Sequence, residues 1–241
     1  MRAGVDERIA VSGYRCRMPS PLARLPRPDA ILFDLDGTLV DTVADRIEAW
    51  VETLDEAGFP TSRERLAPLI GLDGKRLARE IAALAGVTLD DDRAETIDQR
   101  SGELFERLNV APRALPGVRE VVTAMQARGI KWAIATSSRK AQVVASVTAL
   151  GLAAEPTIVD ASHVLHAKPA PDLLLRGAED LGVQPGRCWY VGDSTWDMVA
   201  AVAASMVAVG VTAGAALDAA ALREAGAAAV VDSLLELAES L

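Results

Sequence analysis

Ile31-Leu32-Phe33-Asp34-Leu35-Asp36-Gly37-Thr38 is an apolar run that ends in two acids one residue apart. Residues 30–35 read as a buried strand leaving a core. Alternation along a strand turns Asp34 and Asp36 to one side and Leu35 to the other. Carboxylates that close repel, so the pair is costly unless a cation sits between them or one holds a proton. Gly37 lets the chain turn sharply, and Thr38 offers a hydroxyl and a backbone N–H at the turn. The same residues also read as an acidic strand end capping the next helix, so the surroundings must decide.

Outward from this strand the pattern is regular. A helix is expected over 42–57, ending at Gly58. Residues 61–110 read as helices only, with segments near 62–70, 73–85 and 90–108 that are rich in charge. Alternation resumes at Pro116-Gly117, with helix 118–127, strand 131–135, helix 139–150, strand 157–159, helix 171–181 and strand 188–191. Helix 196–204, strand 207–209, another helix, a strand near 228–231 and a helix over 233–240 complete it. Continuous apolar strands alternating with helices call for a parallel sheet covered on both faces. The expected fold is therefore α/β, a Rossmann-like parallel sheet built from 29–41 and 113–241, with an inserted all-helical cap over 42–112. Residues 1–28 show no periodicity and carry Pro19, Pro21, Pro26 and Pro28, so a flexible leader is expected there.

Composition narrows the function. The 241 residues are half hydrophobic and carry a formal charge of -9 with no offsetting basic run, which argues against nucleic acid or an anionic membrane as partner. Cys16 and Cys188 form no disulfide framework and show no metal-ligand spacing; Cys188 lies in an apolar strand pattern and reads as a core thiol. No apolar stretch is long enough to cross a bilayer, and the first residues lack the apolar core of a signal peptide. A cytoplasmic protein, monomer or homodimer, is the expectation.

Four groups of residues fall at predicted strand ends, where open α/β sheets gather ligands. Asp34 and Asp36 are the first. Thr136, with Ser137 and Ser138 after it, offers hydroxyls and helix-start N–H groups suited to phosphate, although Ser and Thr are also ordinary caps. Lys168 in Ala167-Lys168-Pro169-Ala170-Pro171-Asp172 would by itself be a solvated loop lysine. Asp193, in Gly192-Asp193-Ser194-Thr195-Trp196-Asp197, follows an apolar strand, with Asp197 one helical turn on; either could be a cap.

Taken in this order, the four groups resemble the motifs of the haloacid dehalogenase (HAD) superfamily of aspartate-nucleophile phosphotransferases, over about residues 30–241. The helical insertion after the first motif, with Leu39-Val40-Asp41-Thr42 and Lys168-Pro169-Ala170-Pro171-Asp172, resembles the branch of phosphoglycolate phosphatase and β-phosphoglucomutase. Two departures, Ala167 and Ser205 where relatives commonly have Gly, remove no reactive group. The resemblance implies that Asp34 attacks phosphorus to form an aspartyl-phosphate, and that Asp36 acts as acid and then base. It implies Mg²⁺ on Asp34, the Asp36 carbonyl and Asp193, with Asp197 orienting the ion's water or Lys168. Thr136, Ser137 and Lys168 would hold phosphoryl oxygens. An Asp at position 36 favours phosphate-ester hydrolysis over dehalogenation.

In such a branch the cap sets specificity. Gly71-Leu72-Asp73-Gly74-Lys75-Arg76 is the candidate cap loop, with Lys75 and Arg76 placed to meet an anionic substrate or, equally, two solvated bases at a helix start. The expected activity is a Mg²⁺-dependent phosphatase acting on a small phosphorylated metabolite, of the phosphosugar or phosphoglycolate type. The alternatives are a phosphomutase, or a non-catalytic binding protein that keeps the fold. His163 and His166 flank the third motif and read as surface residues.

Overall fold

Apolar runs with alternating directions produce a sheet buried on both sides. The computed structural model describes residues 20–241. Its six strands are β1 (Ala30–Phe33), β2 (Lys131–Ala135), β3 (Thr157–Val159), β4 (Cys188–Gly192), β5 (Val207–Val211) and β6 (Ala229–Val231). They pair in the order β3-β2-β1-β4-β5-β6, every pair parallel. In register, Ile31 lies beside Trp132 on one neighbour and Trp189 on the other. This is the Rossmann-like α/β sheet expected from the alternation.

Alternate residues of β1 divide the core into two. Ile31 and Phe33 join the cluster covered by α5 (Val118–Ala127), α6 (Lys140–Ala149) and α10 (Leu234–Ser240). Ala30 and Leu32 face α7 (Asp172–Leu181), α8 (Thr195–Ala203) and α9 (Ala219–Glu224). Cys188 is fully buried in the second cluster, and burial raises its thiol to about 11, as a core thiol requires.

Between β1 and α5 come four helices: α1 (Val43–Glu56), α2 (Arg63–Leu66), α3 (Gly74–Leu84) and α4 (Asp91–Leu108). Asp73 and Asp90 cap α3 and α4, each accepting from the backbone N–H three residues on. Trp50, Leu54, Leu66, Leu77, Ile81 and Ile97 form an apolar cluster of their own in this block. The block meets the sheet's loops through Asp73 N–H to the Lys168 carbonyl (2.9 Å) and Trp196 Nε1 to the Pro68 carbonyl (2.8 Å).

Two differences from expectation have local causes. The first strand stops at Phe33 rather than 35, because the chain folds back after Asp34 and Gly37 N–H bonds the Val40 carbonyl at 2.8 Å. Residues 1–19 of the expected leader lie outside the described residues, but 20–28 are packed rather than loose. Pro21–Arg24 is a 3-10 turn that buries Leu22 in the first core cluster, and Trp189 Nε1 bonds the Pro26 carbonyl. Ser205 adopts φ 58, the left-handed turn that a glycine would enter without strain. No described helix is long and apolar enough to cross a membrane.

Candidate active site

The strand order reverses direction at β1. The chain runs outward through β2 and β3, then returns to place β4 on the opposite side of β1. At such a reversal the strand-end loops part and leave a crevice. Asp34 and Asp36 follow β1, Thr136 follows β2 and Asp193 follows β4, so three adjacent strands deliver their loops to one place. The resulting cavity has about 600 Å³ of atom-free space counted to its open mouth, and Asp34, Asp36, Thr136, Ser137, Lys168 and Asp193 all line it.

Lys168 sits at the floor, fully buried. Its Nζ lies 2.8 Å from Asp34 Oδ1 and 2.8 Å from Asp197 Oδ1. Burial opposes its charge, but the carboxylates of Asp197 and Asp34 outweigh that and hold the ammonium above its ordinary pKa. Asp197 is itself fully committed. Its Oδ1 takes Lys168 and the Tyr190 hydroxyl (3.1 Å), and its Oδ2 accepts from Ser194 N–H (3.0 Å) and Ser194 Oγ (2.7 Å). It therefore orients Lys168 and pins the start of α8.

Asp34 and Asp193 are different. Burial lifts Asp34 to about 7; Lys168 pulls it down, while Asp197 and Asp36 push it up. Asp193 is raised well above the carboxylate range by burial and then by the charges of Asp197 and Asp34. Asp193 Oδ1 accepts from Thr38 Oγ1 at 2.7 Å. Gly37, at φ 82, makes room for it, since a Cβ there would stand 2.3 Å from Asp193 Oδ2.

These acids fit a divalent cation. Oxygens of Asp34, Asp193 and Asp197 lie within 4.8 Å of one another, and one lysine does not neutralise three buried carboxylates. Asp34 Oδ1 has its ion pair with Lys168 but no well-angled hydrogen bond, which leaves it a lone pair for a metal. With Asp197 taken up by Lys168 and by the N–H and hydroxyl of Ser194, Asp34 and Asp193 carry the oxygens that remain. An oxygen-only set of this kind suits a hard ion such as Mg²⁺.

Asp36 occupies the opposite electrostatic situation. Burial would raise it, but the Arg46 guanidinium and hydrogen bonds from Ser138, Thr42 and Arg46 overcome that and hold it below the usual range. Thr42 Oγ1 donates to Oδ1 at 2.7 Å; Ser138 Oγ (2.6 Å) and Arg46 Nη2 (3.0 Å) donate to Oδ2. Arg46 in turn lies 3.4 Å over the Phe105 ring. The sequence reading missed Arg46, Thr42 and Tyr190 as site residues, and it grouped Ser138 with the phosphate hydroxyls where the structure gives it to Asp36. A signal existed for the first two, because Thr42 and Arg46 are four apart on the helix leading off the Asp36 turn and share its face.

Lys75 and Arg76 are not brought into the cavity, which favours the second of their two readings, solvated bases at a helix start. Gly71, Leu72 and Gly74 line it instead. As α3 starts, successive residues step around the helix, carrying Lys75 to Glu95 (3.6 Å) and Arg76 to Glu80 (3.6 Å), with the Arg76 guanidinium 5.7 Å above Trp196. The cap side of the cavity is formed by Trp50, Leu77, Asp98 and Ser101. His163 and His166 are exposed, as expected.

Reactive acids converging with a lysine at the switch point of a parallel sheet, beneath a helical block, define an α/β enzyme whose chemistry lies beyond the strand ends. Comparison with known proteins makes this specific. The chain belongs to the haloacid dehalogenase-like hydrolase family, whose model matches residues 31–211. It is 33% identical over 188 residues to the probable phosphatase IndB of Dickeya dadantii, covering 76% of this chain and 80% of that protein. It is 34% identical to the fructose-1-phosphate phosphatase YqaB of Escherichia coli, covering 75% and 95%. A hydrolase from Pseudomonas syringae of known structure superposes with a TM-score of 0.82 at 33% identity, covering 87% and 96%.

Proposed function

We propose that this protein is a Mg²⁺-dependent phosphatase that hydrolyses a small phosphorylated metabolite, of the phosphosugar or phosphoglycolate type, through a covalent intermediate on Asp34. The observation that carries the reading is the pairing at the end of β1: one buried carboxylate against a buried lysine, and a second, two residues on, held ionised by an arginine. The family membership and the phosphatases among its relatives support it.

Asp34 attacks phosphorus while Lys168 and the hydroxyls and N–H groups at Thr136 and Ser137 hold the phosphoryl oxygens. Asp34 and Asp193, with the Asp36 carbonyl, would hold Mg²⁺, which when bound supplies the positive charge that lets a carboxylate approach a phosphate dianion. Asp36, beside Asp34, protonates the leaving oxygen. Arg46 holds Asp36 as a carboxylate, and an incoming phosphate dianion opposes that field and favours the proton the first step needs. Once the leaving group departs, the restored carboxylate is the base for the attacking water. Residues 42–112 act as a cap over the strand ends, and a site covered in this way suits a small molecule.

Release of phosphate from an aryl phosphate in the presence of Mg²⁺ tests this reading. Wild-type protein should turn over, and Asp34→Asn should lose at least about 10³-fold in kcat. Equal activity in the two proteins would overturn the role of Asp34. Isomerisation of a sugar phosphate without phosphate release would replace hydrolysis by mutase chemistry.

A further inference from the structure

On the cap side of the cavity the charges do not match a second anion. Among the described residues lining it, the cations are Lys168 and Arg46. Lys168 is held between Asp34 and Asp197, and Arg46 is held by Asp36 and Ser138 while stacked on Phe105. Arg139, just beyond, is divided between Glu95 (2.8 Å) and Asp98 (2.6 Å). No guanidinium or ammonium is left to receive a carboxylate or a distal phosphate.

What the cap does offer is hydrogen bonding. Ser101 is 1% exposed, and its buried Oγ has no partner among the described residues. Asp98 Oδ2 is bound to Arg139, while Oδ1 lies against Gly74, where a Cβ would come within 1.8 Å, and accepts no hydrogen bond from the described residues. A buried hydroxyl left without a partner is unfavourable until a ligand supplies one, and Asp98, with 18% of its side chain exposed, presents an acceptor beside it. Trp50 and Leu77 close the wall beside them, with 5% and 1% of their surface exposed.

We infer that this wall selects a neutral, polyhydroxylated leaving group, so that the substrate is a sugar or polyol monophosphate, with Asp98 Oδ1 and Ser101 Oγ bonding its hydroxyls. The inference rests on the phosphatase reading above and narrows it. A second anion would lie beside Asp98, with repulsion in place of a hydrogen bond. Discrimination by polar groups that one substrate satisfies and another leaves unpaired is larger than discrimination by size.

The test is a set of kcat/KM values with Mg²⁺ for sorbitol 6-phosphate, glucose 6-phosphate, phosphoglycolate, fructose 1,6-bisphosphate and p-nitrophenyl phosphate. Wild-type protein should prefer a hexose or hexitol monophosphate over phosphoglycolate and the bisphosphate by at least about 100-fold. Asp98→Asn should shrink the preference over phosphoglycolate by at least about tenfold, and Ser101→Ala should lower the ratio of polyol to aryl phosphate turnover several-fold. Phosphoglycolate or the bisphosphate matching the monophosphates, with the aryl ester still cleaved, would overturn the inference and leave the phosphatase reading standing. Unchanged substrate ratios in both variants would overturn it too. Absence of phosphate release from every ester would remove the phosphatase reading itself, and this inference with it.

Discussion

On the cavity floor, Lys168 is enclosed by Asp34 and Asp197 with almost no exposed surface. On the outer face of the cap, Lys75, Arg76 and Arg100 pair with Glu95, Glu80 and Glu56 at side chains a third to a half exposed. Both regions contain lysines, arginines and acids at ion-pair distance. Of the two regions only the floor buries its charges, and so leaves groups no water can rescue. Proximity of opposite charges is therefore a poor guide to function, whereas burial of charges that do not balance is a good one.

The largest effect should come from unbalancing the floor further. Lys168→Ala leaves Asp197 and Asp34 buried without their countercharge and should cost about 3–5 kcal/mol of stability at neutral pH, read by urea unfolding. A loss below about 1 kcal/mol would mean that water reaches these acids, and the contrast between floor and cap would vanish.

The same imbalance predicts a pH dependence. Asp34 has a folded-state pKa raised to about 7, above its ordinary value of 3.8, so the folded protein keeps a proton that the unfolded chain has lost. Without metal, this group's contribution to stability is present at low pH and is lost as pH rises from about 4 through 7. A cation that binds the ionised acids works in the opposite sense. The rise in melting temperature on adding Mg²⁺ should therefore be larger at pH 8 than at pH 5. A shift independent of pH, or none, would remove Asp34 and Asp193 as the ion's holders.

Arg46 sharpens the comparison because it is a cap-helix residue that reaches the floor. Arg46→Met removes the guanidinium that keeps Asp36 low, and burial then raises that acid. The acidic limb of the kcat profile, read where breakdown of the aspartyl-phosphate limits turnover and ionised Asp36 is the base, should move up by about one pH unit or more. An unmoved limb would assign it to another group.

The two regions also differ in how far sequence reveals them. Asp34, Asp36, Thr136 and Asp193 stand at strand ends, and continuous apolar runs mark where strands end, so topology brings them together, while Lys168 joins them from the loop after β3. The cap wall follows no such rule. Asp98 and Ser101 lie in an 18-residue helix whose charges all resemble a solvated face, and only the packing of α4 against α1 and α3 shows which of them turn inward. Lys75 and Arg76 looked suitable for the opposite reason: paired glycines and adjacent bases suggested a substrate loop. One helical step decides that the glycine backbone faces the cavity and the bases do not.

Lys75→Ala carries the smallest expected effect and is the sharpest control, since it repeats the Lys168 substitution on the other face of the same molecule. The Lys75–Glu95 pair spans 3.6 Å with both side chains a third or more exposed, so solvent screens the attraction and hydrates whichever charge is left alone. Unfolding free energy should change by less than about 1 kcal/mol. KM should stay within about twofold for every ester turned over, because the ammonium points away from the cavity. A marked rise in KM for anionic substrates alone would show that α3 turns inward when substrate binds. That result would move the specificity boundary from Asp98 and Ser101 to the loop that begins at Gly71.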